Sequence, residues 1–266
     1  MKELMVRGYS LPEAYHKALV ELHDNGVISD CPDWNCKQLE ASMTMVVNNP
    51  EADPAISRCC VCSPESLQQY KMEIINGILD FNIGKGWDYT YHDRMVNHEV
   101  SSKSKHCPFD TIDQVQFVID ELRRNPSSRR AVIDVRDVGA DCYSDDPACL
   151  QHIQYFIRDY NKLDCCVLFR SNDATRATFM NCFGLITLQE RLCNELDCMM
   201  GTFTLRANSF HCYESEFQNL DNYVKKIKKV GPADKSITFT WVQYAPDMEA
   251  SIPTIMKKVR KLRGEE

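Results

Sequence analysis

The chain has 266 residues, 44% of them hydrophobic, a formal net charge of −7 and a pI near 5.6. That is enough apolar material for a full core in a single domain spanning 1–266. The acidic balance argues against a nucleic-acid polymer as partner, since such binding draws on concentrated positive charge, and it leaves room for a small anion held by a few local arginines. No run of eighteen uncharged apolar residues occurs, and Lys2, Glu3, Arg7 and Glu13 stand where a secretion signal needs an apolar centre. No membrane partner and a cytoplasmic location are therefore expected. Of 14 cysteines, Cys165, Cys166, Cys182 and Cys193 sit inside apolar runs, where free thiols act as small hydrophobes, which points to a reducing compartment.

In chain order, residues 10–25 predict a helix with Ser10 as N-cap, Pro12 in the first turn and Glu13 at the third position. Residues 48–64, punctuated by Pro50, Pro54 and Pro64, read as loop, and Ser66 to Leu79 returns to a helical pattern. Thr111 to Arg124 repeats apolar Ile112, Val115, Val118, Ile119 and Leu122 on a helical period, and Asn125-Pro126 stops it. Ala131–Val135, Ile153–Ile157 and Leu163–Phe169 read as strands. Thr178 to Asp197 is long, apolar on one period and free of proline, which predicts a central buried helix. The basic stretch Lys257–Arg263 reads as the solvated end of a last helix. This mixture of types favours a layered α/β or α+β domain.

Cys149 lies in Asp145-Asp-Pro-Ala-Cys-Leu150, where a proline ends one segment and the thiol opens a strand, an accessible place for a nucleophile. Ser128-Arg129-Arg130 follows a helix stop and Arg170-Ser171-Asn172-Asp173 follows a strand. Both set guanidinium groups at element ends, where they can clamp a phosphate and hold a nearby thiol as thiolate. Cys59-Cys-Val-Cys62 with Cys31 and Cys36 offers thiolates for a metal, but the spacing fits no standard four-ligand zinc pattern, so no metal is expected.

Taken together, Cys149, Gln154, Arg170-Ser-Asn-Asp173, Asn181 and His211-Cys-Tyr213, with Ile112-Asp-Gln114 and Ser128-Arg-Arg130 upstream, resemble the active-site segments of the thymidylate synthase family in order and spacing. The resemblance covers residues 110–220 well and 65–95 weakly. It implies an α/β (α+β) three-layer fold with a mixed twisted sheet, dimerising through that sheet as a homodimer. It also implies 5,10-methylenetetrahydrofolate as cosubstrate and a pyrimidine nucleoside monophosphate as substrate. Cys149 would add to C6 of the ring and make C5 a nucleophile. Arg170 and Ser171, with Arg129 and Arg130 from a second subunit, would hold the 5′-phosphate, with Gln154 also on the nucleotide side. Asn181 would read the base edge, and His211 and Tyr213 would bond the sugar 3′-hydroxyl. Asp173 and Tyr91 would face the folate, and Glu73 resembles the helix-borne carboxylate that organises proton transfers near the ring.

The departures fall on the folate side. The family's tryptophan-rich segment is missing, and Trp87 follows Glu73 after a short interval. Leu150 stands where the synthases usually have histidine, Arg176-Ala-Thr-Phe-Met180 replaces their Gly-x-Pro-Phe, and the early Arg-Thr-Gly phosphate motif and the closing aliphatic tail are absent. Phage deoxycytidylate hydroxymethylases share Arg-Ser-Asn-Asp and a stretch like Gln154-Tyr-Phe-Ile-Arg-Asp159, yet carry aspartate where this chain has Asn181. Methylation of a uridylate is the leading expectation. 5-Hydroxymethylation of dUMP, dCMP or CMP with water is the alternative, and a non-catalytic nucleotide-binding relative is the reading of another class.

Overall fold

The computed structural model describes residues 1–100, 107 and 109–265. In chain order the elements are β1 (Glu3–Gly8), α1 (Leu11–Asn25), β2 (Val27–Cys31), β3 (Cys36–Val47), β4 (Ile56–Ser57), α2 (Pro64–Asn76), α3 (Tyr91–Val96), β5 (His98–Glu99) and β6 (Thr111–Ile112). They continue with α4 (Gln114–Arg124), β7 (Val132–Asp134), α5 (Val138–Asp141), β8 (Leu150–Arg158), β9 (Lys162–Asp173), α6 (Thr178–Leu196), β10 (Met199–Tyr213), α7 (Phe217–Val230), β11 (Thr238–Phe239) and α8 (Trp241–Arg263).

The main sheet runs β1-β3-β10-β9-β8-β7, with β2 paired to the outer part of β3. It is mixed: β1 with β3 and β10 with β9 are parallel, and the other pairs antiparallel. Alternation sorts the side chains. Met43, Met45, Ile153, Tyr155, Cys165, Val167, Phe203 and Leu205 are buried on one face. Gln38, Thr44, Gln154, Cys166, Thr204 and Arg206 on the other stay half-exposed. Helices α1 and α6 pack on the buried face, α2 lies on α6, and α8 lies on α2, giving three layers. Buried Gln189 of α6 donates to the carbonyls of Leu163 (2.7 Å) and Thr202 (3.2 Å), tying the helix to β9 and β10.

Several boundaries differ from the sequence reading. α2 begins at Pro64 because Ser63 and Ser66 form a reciprocal capping box, and it ends at Gly77, whose left-handed conformation (φ 60°) closes the last turn. α4 begins at Gln114, capped by the Asp113 carboxylate, while Thr111 and Ile112 pair with β5. The loop from 48 to 64 contains β4, paired with β11. Ser10 has N-cap geometry but makes no capping bond; the Tyr9 amide instead donates to Glu13 at 2.9 Å. β9 does not stop at Phe169. It carries Arg170 to Asp173 within the strand, paired with β10 through His211↔Asp173. Cys60 and Cys62 are joined, and the other twelve cysteines are free.

Buried His16 staples α1 to two loops. Its Nδ1 donates to the Pro232 carbonyl (2.6 Å), so its Nε2 accepts from the Ser57 hydroxyl (2.7 Å), whose oxygen in turn accepts from the Cys59 amide. Burial pushes this imidazole down to about 4, against the lesser opposing pull of the Pro232 carbonyl. The unfolded side chain takes its proton near 6.5. Stability is therefore intact above that value and falls as pH drops through the window down to about 4, by about 3 kcal/mol. Urea unfolding at neutral pH and near pH 4 should show the advantage of the wild type over His16→Gln shrinking by about that amount. A difference independent of pH would remove His16 from this role.

Candidate active site

At one end of the sheet, β8, β9 and β10 deliver their last or first residues beside α2, α3 and α6. Two irregularities shape this end: the β8–β9 register shifts between Leu150 and His152, and the β10–β3 register shifts between Ala207 and Phe210. Such bulges re-aim side chains, here next to Cys149 and His211.

Cys149 is half-buried immediately before β8. The Arg170 amide donates to its carbonyl at 2.9 Å, and the Arg170 guanidinium donates to the carbonyls of Ala148 (3.0 Å) and Pro147 (2.6 Å), so one arginine clasps the whole Cys149 turn. Burial pushes the Cys149 thiol up from its ordinary value. The Arg170 charge pulls it back, and Asp146 adds to the rise. The Leu150 amide donates to the Tyr91 hydroxyl at 3.3 Å, bringing α3 against the same turn.

A cleft of about 380 Å³ opens beside this group, lined by Tyr70, Glu73, Trp87, Tyr89, Tyr91 and His92, among others. Glu73 sits on the inner face of α2, where burial raises its carboxyl, and the Gln69 amide donating at 2.8 Å partly offsets that rise. Burial also raises the phenols of Tyr89 and Tyr91. His92 meets Asp80 at 2.6 Å through Nδ1, and the Thr90 hydroxyl donates to the other Asp80 oxygen at 2.6 Å.

Asn181, on the first turn of α6, is 8% exposed. Its Oδ1 accepts from the Tyr70 hydroxyl (2.5 Å) and its Nδ2 donates to Asn172 Oδ1 (3.0 Å). Asp173 Oδ1 accepts from the Thr175 and Arg176 amides at 2.9 and 2.8 Å, so this carboxylate closes the turn into α6. Arg176 pairs with Glu216. His211 is buried, its Nδ1 3.4 Å from both Ser171 Oγ and Ser209 Oγ, while its Nε2 has no partner among the described residues. Burial lowers this imidazole and the Asp173 charge opposes that. The Tyr213 ring stands edge-on to His211 at 4.7 Å, and Trp34 of the β2–β3 hairpin packs on its other side at 6.3 Å.

The fold therefore brings Cys149, Arg170, Ser171, Asp173, Asn181, His211, Tyr213, Glu73 and Tyr91 to one end of the sheet. It does not bring Gln154, Arg129 or Arg130 there within one chain. Gln154 points to the half-exposed sheet face and donates to the Arg129 carbonyl at 2.9 Å; Arg130 is exposed and pairs with Glu121 at 3.0 Å. The Glu121 carboxyl is held low by the Ser128 hydroxyl and Arg124. Tyr70, Tyr89, Asp80, His92 and Asn172 join the site without having been singled out in the sequence. For Tyr70 a signal existed, since it stands three residues before Glu73 and so shares its helix face. Among the described residues, no group of three or more His, Cys, Asp or Glu is arranged to hold a metal ion, and no helix is long and apolar enough to cross a membrane.

A half-buried thiol clasped by an arginine, beside an amide and a carboxylate in an aromatic cleft, is the equipment of an enzyme that adds a cysteine to a flat, electron-poor ring. Comparison with known proteins agrees. The family model described as thymidylate synthase matches residues 64–240, and the chain belongs to that family. Curated relatives named "Putative thymidylate synthase" include one from Methanosarcina barkeri, 26% identical over 224 residues that span 84% of this chain and 95% of the relative. Another, from Methanocaldococcus jannaschii, is 26% identical over 235 residues, spanning 85% and 98%. Thermostable thymidylate synthase A from Bacillus subtilis superposes with a TM-score of 0.63 at 17% identity, covering 81% of this chain and 84% of that one, and shares the fold. The chain is accordingly a one-carbon transferase acting at C5 of a pyrimidine nucleotide with a folate cosubstrate.

Proposed function

We propose that the chain methylates dUMP in the manner of thymidylate synthase, as a cytoplasmic homodimer with 5,10-methylenetetrahydrofolate and no metal. The observation that carries this reading is that the Arg170 guanidinium and the Tyr91 hydroxyl both bind the turn holding Cys149, while Tyr91, Glu73 and Tyr70 line one cleft and Tyr70 bonds Asn181. The Cys149 thiolate bonds to C6, and the electron pair of the C5–C6 double bond moves toward C5 and O4, making C5 the nucleophile. Glu73, kept protonatable by burial, serves the proton transfers at O4 and C5. Asn181 faces the base edge. The unpartnered Nε2 of His211 suits a sugar hydroxyl, with Tyr213 beside it. Arg170 and Ser171 hold the 5′-phosphate with Arg129 and Arg130 of a second subunit. The half-exposed sheet face, which carries Gln154 against the Arg129 carbonyl, supports a dimer built there. The walls of Trp87, Tyr89 and Tyr91, with Glu73 at one side, fit a flat pterin. The folate supplies the one-carbon unit and, for a methyl product, the hydride.

One observation favours the second reading, 5-hydroxymethylation. His92, held by Asp80 in the cleft wall, is equipment for activating water there. Incubation with dUMP, dCMP or CMP and methylenetetrahydrofolate divides the readings. Methylation yields a product heavier by a methylene unit together with dihydrofolate. A hydroxymethyl product without dihydrofolate would overturn it. Asn181→Asp should move the preference toward cytosine by at least about tenfold, because a carboxylate accepts from the amino group; an unmoved ratio would remove Asn181 from base reading.

A further inference from the structure

We propose that Tyr70 is a positioning residue that sets base choice, its hydroxyl locking the Asn181 amide in the orientation that suits uracil. The inference rests on the reading of Asn181 as the base-facing group and adds the device that orients it.

An asparagine amide is nearly symmetric in shape but not in chemistry: one side accepts and the other donates. In this site both sides are anchored. The Tyr70 hydroxyl donates to Oδ1 at 2.5 Å, and Nδ2 donates to Asn172 Oδ1 at 3.0 Å. Turning the amide over would oblige Asn172, whose Nδ2 has no partner among the described residues, to turn with it, and would oblige the Tyr70 hydroxyl to accept where it now donates. Asn172 and Asn181 are buried and Tyr70 half-buried, where an unmade bond costs more than at the surface.

The anchored amide keeps one N–H and one oxygen lone pair for a ligand. Uracil offers an acceptor at O4 beside a donor at N3, which match these in order. Cytosine offers a donor amino group beside a bare N3, which match only the overturned amide. Tyr70 itself has little freedom. It stands on α2 three residues before Glu73, and its ring lies over Gly184 of α6, where an added Cβ would come within 2.8 Å of ring atom Cε1. Glycine at 184 is thus what admits the ring to its place.

The test is equilibrium binding of dUMP and dCMP, without folate, to the wild type, Tyr70→Phe, Gly184→Ala, Asn181→Asp and the Asn181→Asp/Tyr70→Phe double variant. The wild type should favour dUMP. Tyr70→Phe should cut the dUMP:dCMP preference by roughly tenfold, the loss of one net hydrogen bond. Gly184→Ala, which keeps the hydroxyl and displaces the ring, should cut it in the same direction, and it carries the test if the phenylalanine variant does not fold. In the Asn181→Asp background, Tyr70→Phe should leave the ratio unchanged, because a carboxylate has no donor side to misplace. A purely structural role for Tyr70 would not produce that dependence on background. A preference unchanged by both single variants, or an equal shift in the aspartate background, overturns the inference while leaving the proposed function standing. A wild type that binds neither nucleotide, or favours dCMP, overturns both.

Discussion

Replacing Cys149 by serine should lower turnover by at least about 10⁴-fold, the scale on which removal of an enzyme nucleophile acts, while dUMP affinity changes by no more than about threefold. A serine oxygen is far harder to ionise than a thiol. The wild-type thiol is itself raised by burial and by Asp146, with Arg170 as the opposing charge. Its activation therefore depends on the same guanidinium that clasps the Pro147 and Ala148 carbonyls. Serine leaves those bonds in place, so the binding surface survives and only the bond to C6 is lost. Turnover assays with mass detection of the nucleotide product, alongside calorimetric titration of dUMP, check this. A serine variant that kept more than roughly one part in a hundred of wild-type turnover would exclude Cys149 as nucleophile.

The residues proposed to meet substrate were the easiest to single out, because the chemistry restricts them to a few types at spacings the strands impose. Cys149 and Arg170 are twenty-one positions apart yet touch, since β8 and β9 form an antiparallel pair with Leu150 opposite Phe169. The aromatic wall was harder. Tyr70 and Tyr89 carry hydroxyls on apolar bodies, and on a sequence they look like packed rings with wet tips. β3 escaped for another reason: Cys-Lys-Gln-Leu-Glu-Ala-Ser-Met-Thr-Met-Val-Val from Cys36 to Val47 is rich in helix formers, and only pairing on both edges, with β1 and β10, holds it extended. β10 alternates well through Phe203, Leu205 and Ala207, then loses phase at the Ala207–Phe210 irregularity, which is where the strand turns toward His211. Gln154 and the pair Arg129 and Arg130 illustrate a different limit. Their order in the sequence matches the family, but within the chain the fold sets them away from Cys149, and sequence order does not distinguish the two sides of a sheet.

Asp141→Ala should cost about 3–5 kcal/mol of folding stability, the usual result of stripping one partner from a buried ion pair. The side chains are 10% exposed for Arg94 and 2% for Asp141, with Arg94 Nη2 3.0 Å from Asp141 Oδ1. Arg94 also donates to the Val135 carbonyl at 3.1 Å and lies over the Tyr89 ring at 5.1 Å, and the second Asp141 oxygen accepts from the Asp137 amide at 3.0 Å. Alanine at 141 would leave a guanidinium and a backbone N–H without their acceptor. The loss is large against a total of about 5–15 kcal/mol for a folded domain. It also reaches the site, because Arg94 belongs to the helix that begins with Tyr91 and Asp141 ends the one that leads into the Cys149 turn. Urea unfolding of Asp141→Ala should show a lowered midpoint with the slope preserved. The double variant Arg94→Met/Asp141→Leu, which removes both charges, should recover most of the loss in stability, yet not the activity, since Tyr89 would no longer be held by the guanidinium. A single-variant loss below about 1 kcal/mol would place the pair among weak surface bridges instead, and a double variant no more stable than Asp141→Ala would show that packing around α3 and α5, not the uncompensated charge, sets the penalty.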